Sequence, residues 1–169
     1  MAQKIMGFAV YGVIFVAAWG LLYAYQNFGY QLYEGGEMAP TVEKGAHHTV
    51  NVPRGNLGEL KVGDLVIYNY YRPGFEKQTR WMGRIIAMPG QRVKVVNGDT
   101  WVNGARASDT FVAVSQKTVE NLEEVTVPAD CIYIMHDNRK YFSFSTTIGF
   151  HDSRNVGPIG VRAIVGIKR

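Results

Sequence analysis

The sequence predicts a mostly β protein, in which a single transmembrane helix near the N-terminus is followed by an antiparallel, barrel-like β domain. Residues 5–25 form an uncharged apolar run of membrane length. Beyond Gly45 the pattern changes to short β-prone segments broken by Gly, Pro, Asn and Asp, which is typical of small antiparallel β domains. A chain of 169 residues with 47% apolar residues suits one anchor and one packed domain.

Residues 5–25 read IMGFAVYGVIFVAAWGLLYAY. As a helix rising about 1.5 Å per residue, this run covers roughly 30 Å, the thickness of a bilayer's hydrocarbon core. A cleaved secretory signal is the alternative, but its apolar stretch is normally about 7–15 residues long and ends at a small-x-small site. The run is longer and has no convincing site of that kind, so we expect a retained anchor.

The charges flanking the run predict its orientation. Lys4 lies before it, and the first charges after it are Glu34 and Glu37. The positive-inside rule then places the N-terminus in the cytoplasm and the main domain outside. We expect a single-pass protein of the cytoplasmic (inner) membrane, with the lipid bilayer as one partner. The predicted parts are a short cytoplasmic N-terminus (1–4), the helix (5–25), a membrane-proximal aromatic segment with the loop that follows it (26–45) and the β domain (46–169).

Nine segments of the predicted β domain have strand character. They are Thr49–Val52, Leu65–Tyr70, Trp81–Met88, Arg92–Val96, Thr100–Val102, Phe111–Val114, Glu124–Val127, Ile132–Met135 and Gly160–Ile167. Asn97-Gly98-Asp99 and Asn103-Gly104 are hairpin-type turns, because Asn and Gly tolerate positive φ. The polar segment Arg72–Thr79 is the best candidate for a mobile excursion.

Composition argues against several classes of function. The 18 basic and 14 acidic residues give a net charge of +4, and the basic residues are scattered, so no nucleic-acid partner is expected. Cys131 is the single cysteine and lies in an apolar run, which predicts a buried, inert thiol. His47 and His48 face opposite sides of a strand and cannot form a metal site alone. No zinc or phosphate-loop motif occurs, so we expect neither a metal nor a cofactor.

Three groups of residues, well separated in the sequence, carry a recognisable pattern. They are Glu37-Met38-Ala39-Pro40-Thr41, then Arg84-Ile85-Ile86-Ala87-Met88-Pro89-Gly90, then Asp137-Asn138-Arg139 with Asp152-Ser153-Arg154. Together they resemble the type I signal peptidases, membrane-anchored enzymes that cleave signal peptides with a serine and lysine pair. The resemblance runs from the anchor to Val161 and implies a signal-peptidase-like β fold.

The two reactive positions of that family are changed here. The family's serine stands in a Ser-Met-x-Pro-Thr segment, and Glu37 occupies its place. The family's lysine directly precedes an Arg-Val-Ile-Gly-Leu-Pro-Gly-like strand, where burial keeps its amine neutral so that it can accept the serine proton. Gly83 occupies that place. We therefore predict no catalytic residue, and both changes fit one event, the retirement of the active site.

Other family segments are recognisable, with two departures. Val62–Ile67 resembles the family's Gly-Asp-Ile-Val-Val-Phe strand. His136 replaces the glycine of a Gly-Asp-Asn-Arg motif, and Lys140–His151 is longer than the usual spacer. In the family this spacer and the aspartate after it help to hold the lysine.

The matching residues also have structural interpretations. Asp137, Arg139, Asp152 and Arg154 are expected to form an ion-pair network that ties the C-terminal strand to the domain. Pro40 and Thr41 are expected to shape the loop that leaves the membrane.

A catalytic Glu37 would need a second acid close by, since carboxylate proteases that activate water use two. None is near it in sequence, although Asp137 or Asp152 could approach it in space.

Three hypotheses about function remain. The first is a catalytically silent, signal-peptidase-like membrane protein that binds or positions an exported protein, such as a pilin, through a groove that pairs with extended segments. The second is a permanent structural subunit of a larger membrane complex. The third is an active peptidase with a relocated centre. If the frame is preserved, Glu37→Ser with Gly83→Lys is expected to recover weak peptidase activity.

Overall fold

The computed structural model describes residues 2–32, 36–43, 45, 47–51, 57–70, 79–114, 117–142 and 152–168. The N-terminal helix is confirmed as α1, Ala2–Asn27, and it runs directly into a strand. Side chains of α1 are described for residues 11–24, and all of them are exposed. Within the described ranges, no helix is long and apolar enough to cross a membrane. The predicted transmembrane span over residues 5–25 is therefore not confirmed.

The described strands form two antiparallel sheets. Their bounds are β1 Phe28–Leu32, β2 His47–Asn51, β3 Leu65–Tyr70, β4 Thr79–Ala87, β5 Arg92–Val96, β6 Asp99–Val102, β7 Ala105–Arg106, β8 Leu122–Thr126, β9 Cys131–Met135, β10 Ile159–Gly160 and β11 Ile164–Lys168. In this part of the chain the larger sheet has the order β1-β2-β11-β3-β4-β9-β10, and the smaller has the order β7-β6-β5-β8.

The mostly β, antiparallel prediction is confirmed, but the prediction of a barrel is wrong. Neither described sheet closes on itself, because the strands at its two ends do not pair with each other. The chain leaves the larger sheet after β4 through a turn closed by a hydrogen bond from the Gln91 amide to the Met88 carbonyl, and then begins the smaller sheet with β5. The short hairpins that suggested one closed barrel are thus divided between two open sheets.

The predicted hairpin turns are confirmed, with positive φ at Asn97 (50°) and Asn103 (51°). Phe111–Val114 is not a strand, and this prediction is wrong. Val112 is buried and Phe111 is half-buried, and the Phe111 side chain packs against a core cluster although its backbone is not in a strand. The predicted strand Gly160–Ile167 is interrupted by a 3₁₀ turn, Val161–Ala163. Apart from Thr79, which begins β4, the proposed excursion Arg72–Thr79 lies outside the described residues.

The hydrophobic core lies on both faces of the β3–β4–β9 region. One cluster surrounds Tyr68, Ile85 and Ile134, and another joins β4 and β9 to the smaller sheet. Cys131 is half-buried at the start of β9 rather than fully buried, because it is the first residue of that strand. These clusters fix β3, β4 and β9 side by side, and the candidate site is built on them.

Candidate functional site

Residues 36–42 are packed against β3 and β4. The side chains of Met38 and Val42 are 0% and 2% exposed, and they share a hydrophobic cluster with Leu65, Ile67 and Met82. The peptide bond between Ala39 and Pro40 is cis. Because Met38 and Val42 both enter the core, the segment is held as part of the domain rather than as a free loop.

Glu37 belongs to this segment and lies against β4 and the residues that follow β9. Its side chain is 2% exposed, and its Oε1 accepts a long hydrogen bond from the Met82 amide (3.4 Å). Its main-chain carbonyl accepts from the Asn138 amide (2.9 Å), while Asn138 Nδ2 donates to the Gly36 carbonyl (3.1 Å). The structure therefore brings together three segments that the sequence analysis singled out.

Gly83 faces β9 at very close range. A Cβ atom on Gly83 would lie 2.3 Å from Ile134 Cγ2 and 3.4 Å from Tyr68 Cε1. A carbon–carbon approach of 2.3 Å is far inside van der Waals contact, so Ile134 occupies the direction in which any side chain at position 83 would begin. Glycine at this position is required by packing as the structure stands.

A buried chain of three polar side chains lies beside Gly83. The Tyr68 hydroxyl is hydrogen-bonded to His136 Nε2 (3.3 Å), and His136 Nδ1 lies 3.6 Å from Asp152 Oδ2. The His136 amide donates to the same carboxyl oxygen (2.9 Å), and the Trp81 ring stacks on the imidazole. Tyr68, His136 and Asp152 are each 0% exposed, so the chain is sealed from solvent in this conformation.

These contacts were not predicted from the sequence. His136 was recognised only as a replacement for a glycine, without a partner, and Tyr68 was not singled out. Tyr68 follows Ile67 where the family's Gly-Asp-Ile-Val-Val-Phe strand ends in phenylalanine. The available signal was that Tyr68 has a hydroxyl where the family motif has phenylalanine, and His136 an imidazole where it has glycine. Two buried polar groups in one core are expected to pair with each other.

The surroundings shift the pKa values of Tyr68 and Asp152 in opposite directions. Burial raises the pKa of the Tyr68 phenol well above its ordinary value, and the negative charges of Asp152 and Glu37 raise it further. Burial alone would also raise the pKa of Asp152. The Arg154 guanidinium and His136 outweigh that effect and hold the pKa of this carboxyl well below its usual range. At neutral pH Tyr68 is a neutral phenol and Asp152 a carboxylate.

The predicted ion-pair network exists, but with partners from other parts of the chain. Arg154 pairs with Asp152 as expected (Nη2 to Oδ2, 2.9 Å) and also with Glu120 (2.8 Å). Arg139 pairs with Asp109 (3.2 Å). Its Nη1 also lies 2.8 Å from the Met135 sulfur.

Asp137 pairs with Arg84 through two hydrogen bonds, Nε to Oδ1 at 2.9 Å and Nη2 to Oδ2 at 2.6 Å. The Phe111 ring covers this pair, with the Arg84 Cζ atom 4.3 Å from the ring centroid. The guanidinium also donates from Nη1 to the Gly63 carbonyl (2.9 Å). Arg84 thereby ties β4 to the turn before β3 and to the segment after β9, which is a positioning role.

The other residues that were predicted for the site are buried in the core, exposed at the surface or part of a turn. Ser153 is buried, and its hydroxyl accepts from the Ile134 amide (2.8 Å). Pro40 and Thr41 are exposed. The three residues of the Met88-Pro89-Gly90 sequence form the turn between β4 and β5, where the Gly90 amide donates to the Val127 carbonyl (2.8 Å). Among the described residues, no group of three or more His, Cys, Asp or Glu side chains could hold a metal ion.

Comparison with known proteins gives the family of the chain. Residues 5–169 match the family model described as "Signal peptidase, peptidase S26". The chain therefore belongs to the signal peptidase family, peptidase S26.

Two relatives agree with this assignment. Signal peptidase I of Bacillus amyloliquefaciens is 30% identical over 166 residues, covering 93% of this chain and 80% of the relative. Signal peptidase I T of Bacillus subtilis strain 168 is 31% identical over 147 residues, covering 82% of this chain and 70% of the relative. The crystal structure of a signal peptidase I from Enterococcus faecalis V583 aligns with a TM-score of 0.47 at 18% identity, covering 65% of this chain and 97% of that one.

Proposed function

We propose that this protein is a catalytically silent member of the signal peptidase family that binds or positions an exported protein. The single observation that carries the proposal is the packing at Gly83. Ile134 fills the space through which a lysine at that position would reach the site, because its Cγ2 would be 2.3 Å from the Cβ. The general base of the family's serine and lysine pair is thus replaced by packed hydrocarbon.

The position of the nucleophile supports the same proposal. Glu37 stands in the place of the serine in the family motif, and its carboxylate is turned onto the main-chain amide of Met82. A carboxylate cannot form the ester intermediate that a serine hydroxyl forms with a peptide carbonyl.

The buried chain from Tyr68 to Asp152 favours the alternative of an active peptidase with a rewired centre. Its hydroxyl, imidazole and carboxylate follow one another in space, which resembles the arrangement that activates a serine. Two facts weigh against this alternative. The nucleophile would be a phenol whose pKa is raised well above its ordinary value, and its side chain is 0% exposed, so no peptide reaches it in this conformation.

We also propose that α1 anchors the protein in a membrane with its N-terminus in the cytoplasm. The exposure of the apolar side chains on α1 supports this proposal. Val13, Phe15, Val16 and Leu21 are each at least 67% exposed, on a helix that is apolar all round. Helices of this kind are stable when lipid or protein covers them.

The test of catalytic silence is incubation of the purified full chain, in detergent micelles, with a preprotein that an active signal peptidase I cleaves. We expect no cleavage above the background of the Glu37→Gln variant, because neither replaced position supplies a hydroxyl or an amine. Cleavage by the wild-type protein that disappears in Glu37→Gln, or in Tyr68→Phe, would support the rewired peptidase instead.

In the proposed function the bound protein is a pilin or another exported subunit, and the competing role is that of a permanent subunit of a membrane complex. Gentle detergent extraction followed by size separation and mass spectrometry distinguishes them. A transient binder is expected to be recovered mostly alone, with partners in substoichiometric amounts. A fixed set of partners at constant ratio would instead support the structural subunit.

A further inference from the structure

The connection between β7 and β8 is described for residues 107–114 and 117–121, which we call the strap. These residues contain no strand, and Val114 and Val119 are 86% and 84% exposed. Val112 is buried and gives the strap an apolar contact with the domain. Segments with few buried apolar contacts and no sheet pairing open more readily than the sheets they cross.

Main-chain hydrogen bonds hold the strap near its two ends. The Ala107 amide donates to the Thr100 carbonyl (2.8 Å), and the Glu120 carbonyl accepts from the Gly98 amide (2.8 Å). Gly98 also lies directly against Thr118, because a Cβ on Gly98 would be 1.8 Å from the Thr118 carbonyl oxygen. The strap therefore follows the turn between β5 and β6 so closely that a residue with a side chain does not fit beneath it.

Three side chains of the strap contact three arginines of the candidate site. Asp109 pairs with Arg139 (3.2 Å), the Phe111 ring covers Arg84, and Glu120 pairs with Arg154 (2.8 Å). The two carboxylates are 10% and 14% exposed, whereas the guanidiniums that they pair with are 3% and 0% exposed. The carboxylates of the strap are thus the outer layer of this network, and the guanidiniums are the inner layer.

The strap supplies half of the acidic groups in these ion pairs. The described ion pairs of the site involve three guanidiniums and four carboxylates, namely Arg84, Arg139 and Arg154 with Asp109, Glu120, Asp137 and Asp152. Without the two carboxylates of the strap, three guanidiniums would face two carboxylates, and the net charge of the set would change from negative to positive. An open strap therefore leaves a set of groups that attracts anions.

Arg139 depends on the strap more than the other two guanidiniums do. Arg84 and Arg154 each have a carboxylate partner outside the strap, whereas the described ion pair of Arg139 is with Asp109. Its Nε is buried and has no hydrogen-bond partner in the described part of the chain. Burial and the neighbouring Arg154 lower the pKa of this guanidinium. A buried guanidinium with an unused donor favours any carboxylate that can reach it.

We infer that the strap closes an anion-binding site with its own carboxylates and opens in exchange for an acidic segment of the bound protein. This inference rests on the proposed binding function and specifies the chemistry of the segment. Carboxylates of the incoming segment take the places of Asp109 and Glu120 on the guanidiniums. A neutral segment leaves Arg139 buried without an ion pair, so the strap stays closed against it.

A matched pair of glycine substitutions changes the strap without changing its charge. Gly98 and Gly104 each follow an asparagine in a hairpin turn, with φ of 80° and 82°, so an alanine is similarly strained at both. The new Cβ meets the strap at Gly98, whereas at Gly104 it meets no described atom within 4 Å. Gly98→Ala is therefore expected to open the strap, and Gly104→Ala to leave it closed.

Hydrogen exchange of the full chain in detergent micelles measures the opening. The Val112 amide donates to the Asp109 carbonyl (2.9 Å) and is the reporter inside the strap. The Gly90 amide donates to the Val127 carbonyl (2.8 Å) and is the reporter outside it. Exchange at Gly90 is expected to be the same in the wild-type protein and in every variant of the strap.

Exchange at Val112 is expected to be about tenfold faster in Gly98→Ala and in Glu120→Gln, the effect of losing one charge-assisted hydrogen bond or an equivalent steric contact. Gly104→Ala is the control for the first variant. Glu124→Gln is the control for the second, since Glu124 forms an exposed ion pair. Both controls are expected to match the wild-type protein. An unchanged rate at Val112 in Glu120→Gln would overturn the strap as one moving unit.

Fluorescent peptides test the ligand of the site. Each peptide of Ala and Thr carries two Glu residues separated by one to three positions, and its counterpart carries Gln at the same places. Binding is measured by anisotropy at fixed ionic strength. We expect one Glu peptide to bind the wild-type protein about tenfold more tightly than its Gln counterpart. Gly98→Ala should bind it more tightly still, because more of that protein is open, and Gly104→Ala should not.

The outcomes separate the inference from the function on which it rests. Equal binding of Glu and Gln peptides would overturn the acidic specificity alone. Equal affinities of Gly98→Ala and Gly104→Ala for the Glu peptide would overturn the strap as the barrier to the site. Failure of every peptide to bind any of the proteins would overturn the proposed binding function together with the inference.

Discussion

Asp152→Ala is expected to reduce the free energy of unfolding by about 3–5 kcal/mol, the usual effect of removing one partner of a buried ion pair. The Asp152 carboxylate is 0% exposed and pairs with Arg154. It also accepts from the amides of His136 (2.9 Å) and Arg154 (3.0 Å), the second of which caps the short helix α2, Ser153–Val156. Removing the carboxylate takes away the more deeply buried of the two carboxylates that pair with the Arg154 guanidinium, which then keeps Glu120, and it removes the acceptor of the two amides.

The measurement is urea unfolding of the full chain followed by tryptophan fluorescence, which reports on Trp81 beside His136 together with Trp19 and Trp101. Asp99→Ala is the matched control, because Asp99 forms an ion pair with Arg106 near the surface, where side chains are 32% and 54% exposed. For such a pair we expect a change of about 0–1 kcal/mol. Equal losses in the two variants would contradict the assignment of Asp152 as the buried centre of the network.

The Asp152 carboxyl also makes the free energy of unfolding depend on pH, and the sign of this dependence follows from its lowered pKa. Its pKa in the folded protein is lowered, while in the unfolded chain it is about 3.9. The unfolded state therefore takes up a proton first as the pH falls. The stabilisation is complete above about pH 4 and is lost progressively below it. The difference in stability between wild type and Asp152→Ala is expected to shrink as the pH falls below that value.

Gly83→Ala is the second substitution with a large expected effect. The added methyl group would lie 2.3 Å from Ile134 Cγ2, between two central strands of the larger sheet. Overpacking of this kind destabilises by about 1–3 kcal/mol or more, since neighbouring side chains and strands must move. Urea unfolding of Gly83→Ala, Ile134→Ala and the double variant gives the coupling energy.

Ile134→Ala alone removes a fully buried side chain and is expected to reduce stability by about 2–5 kcal/mol. In that background Gly83→Ala should be nearly neutral, because its methyl group enters the vacated space. A coupling energy of at least about 1 kcal/mol is therefore expected. Additive losses would show that Ile134 is not the obstacle at position 83. Gly160→Ala provides a control, since a Cβ there meets no atom within 4 Å.

This packing changes the expectation for restoring the serine and lysine pair. Glu37→Ser with Gly83→Lys was expected to recover weak peptidase activity, but the lysine would begin against Ile134. We now expect no cleavage from that double variant and measurable cleavage only when Ile134→Ala is added. The preprotein assay decides, and cleavage by the double variant at the level of the triple variant would contradict the steric argument.

The local signals in the sequence were sufficient for much of the β architecture. The alternation of short apolar strands with Asn-Gly turns predicted most strands of the two sheets, and the φ values at Asn97 and Asn103 match the turns. Phe111 was misassigned to a strand because an apolar segment that packs by its side chains looks the same as a paired one. The ring covers Arg84, and this contact depends on a residue in a distant strand.

What the sequence by itself determined was the family frame and the identity of the two replaced residues, because both depend on residue types in a fixed order. The tertiary structure decided which groups touch. It places Ile134 against Gly83, turns Glu37 onto Met82, and joins Tyr68 to His136 across β3 and the residue after β9. Such contacts depend on strand register and sheet twist, which bring residues far apart in the chain within a few ångströms and leave no mark on the local pattern.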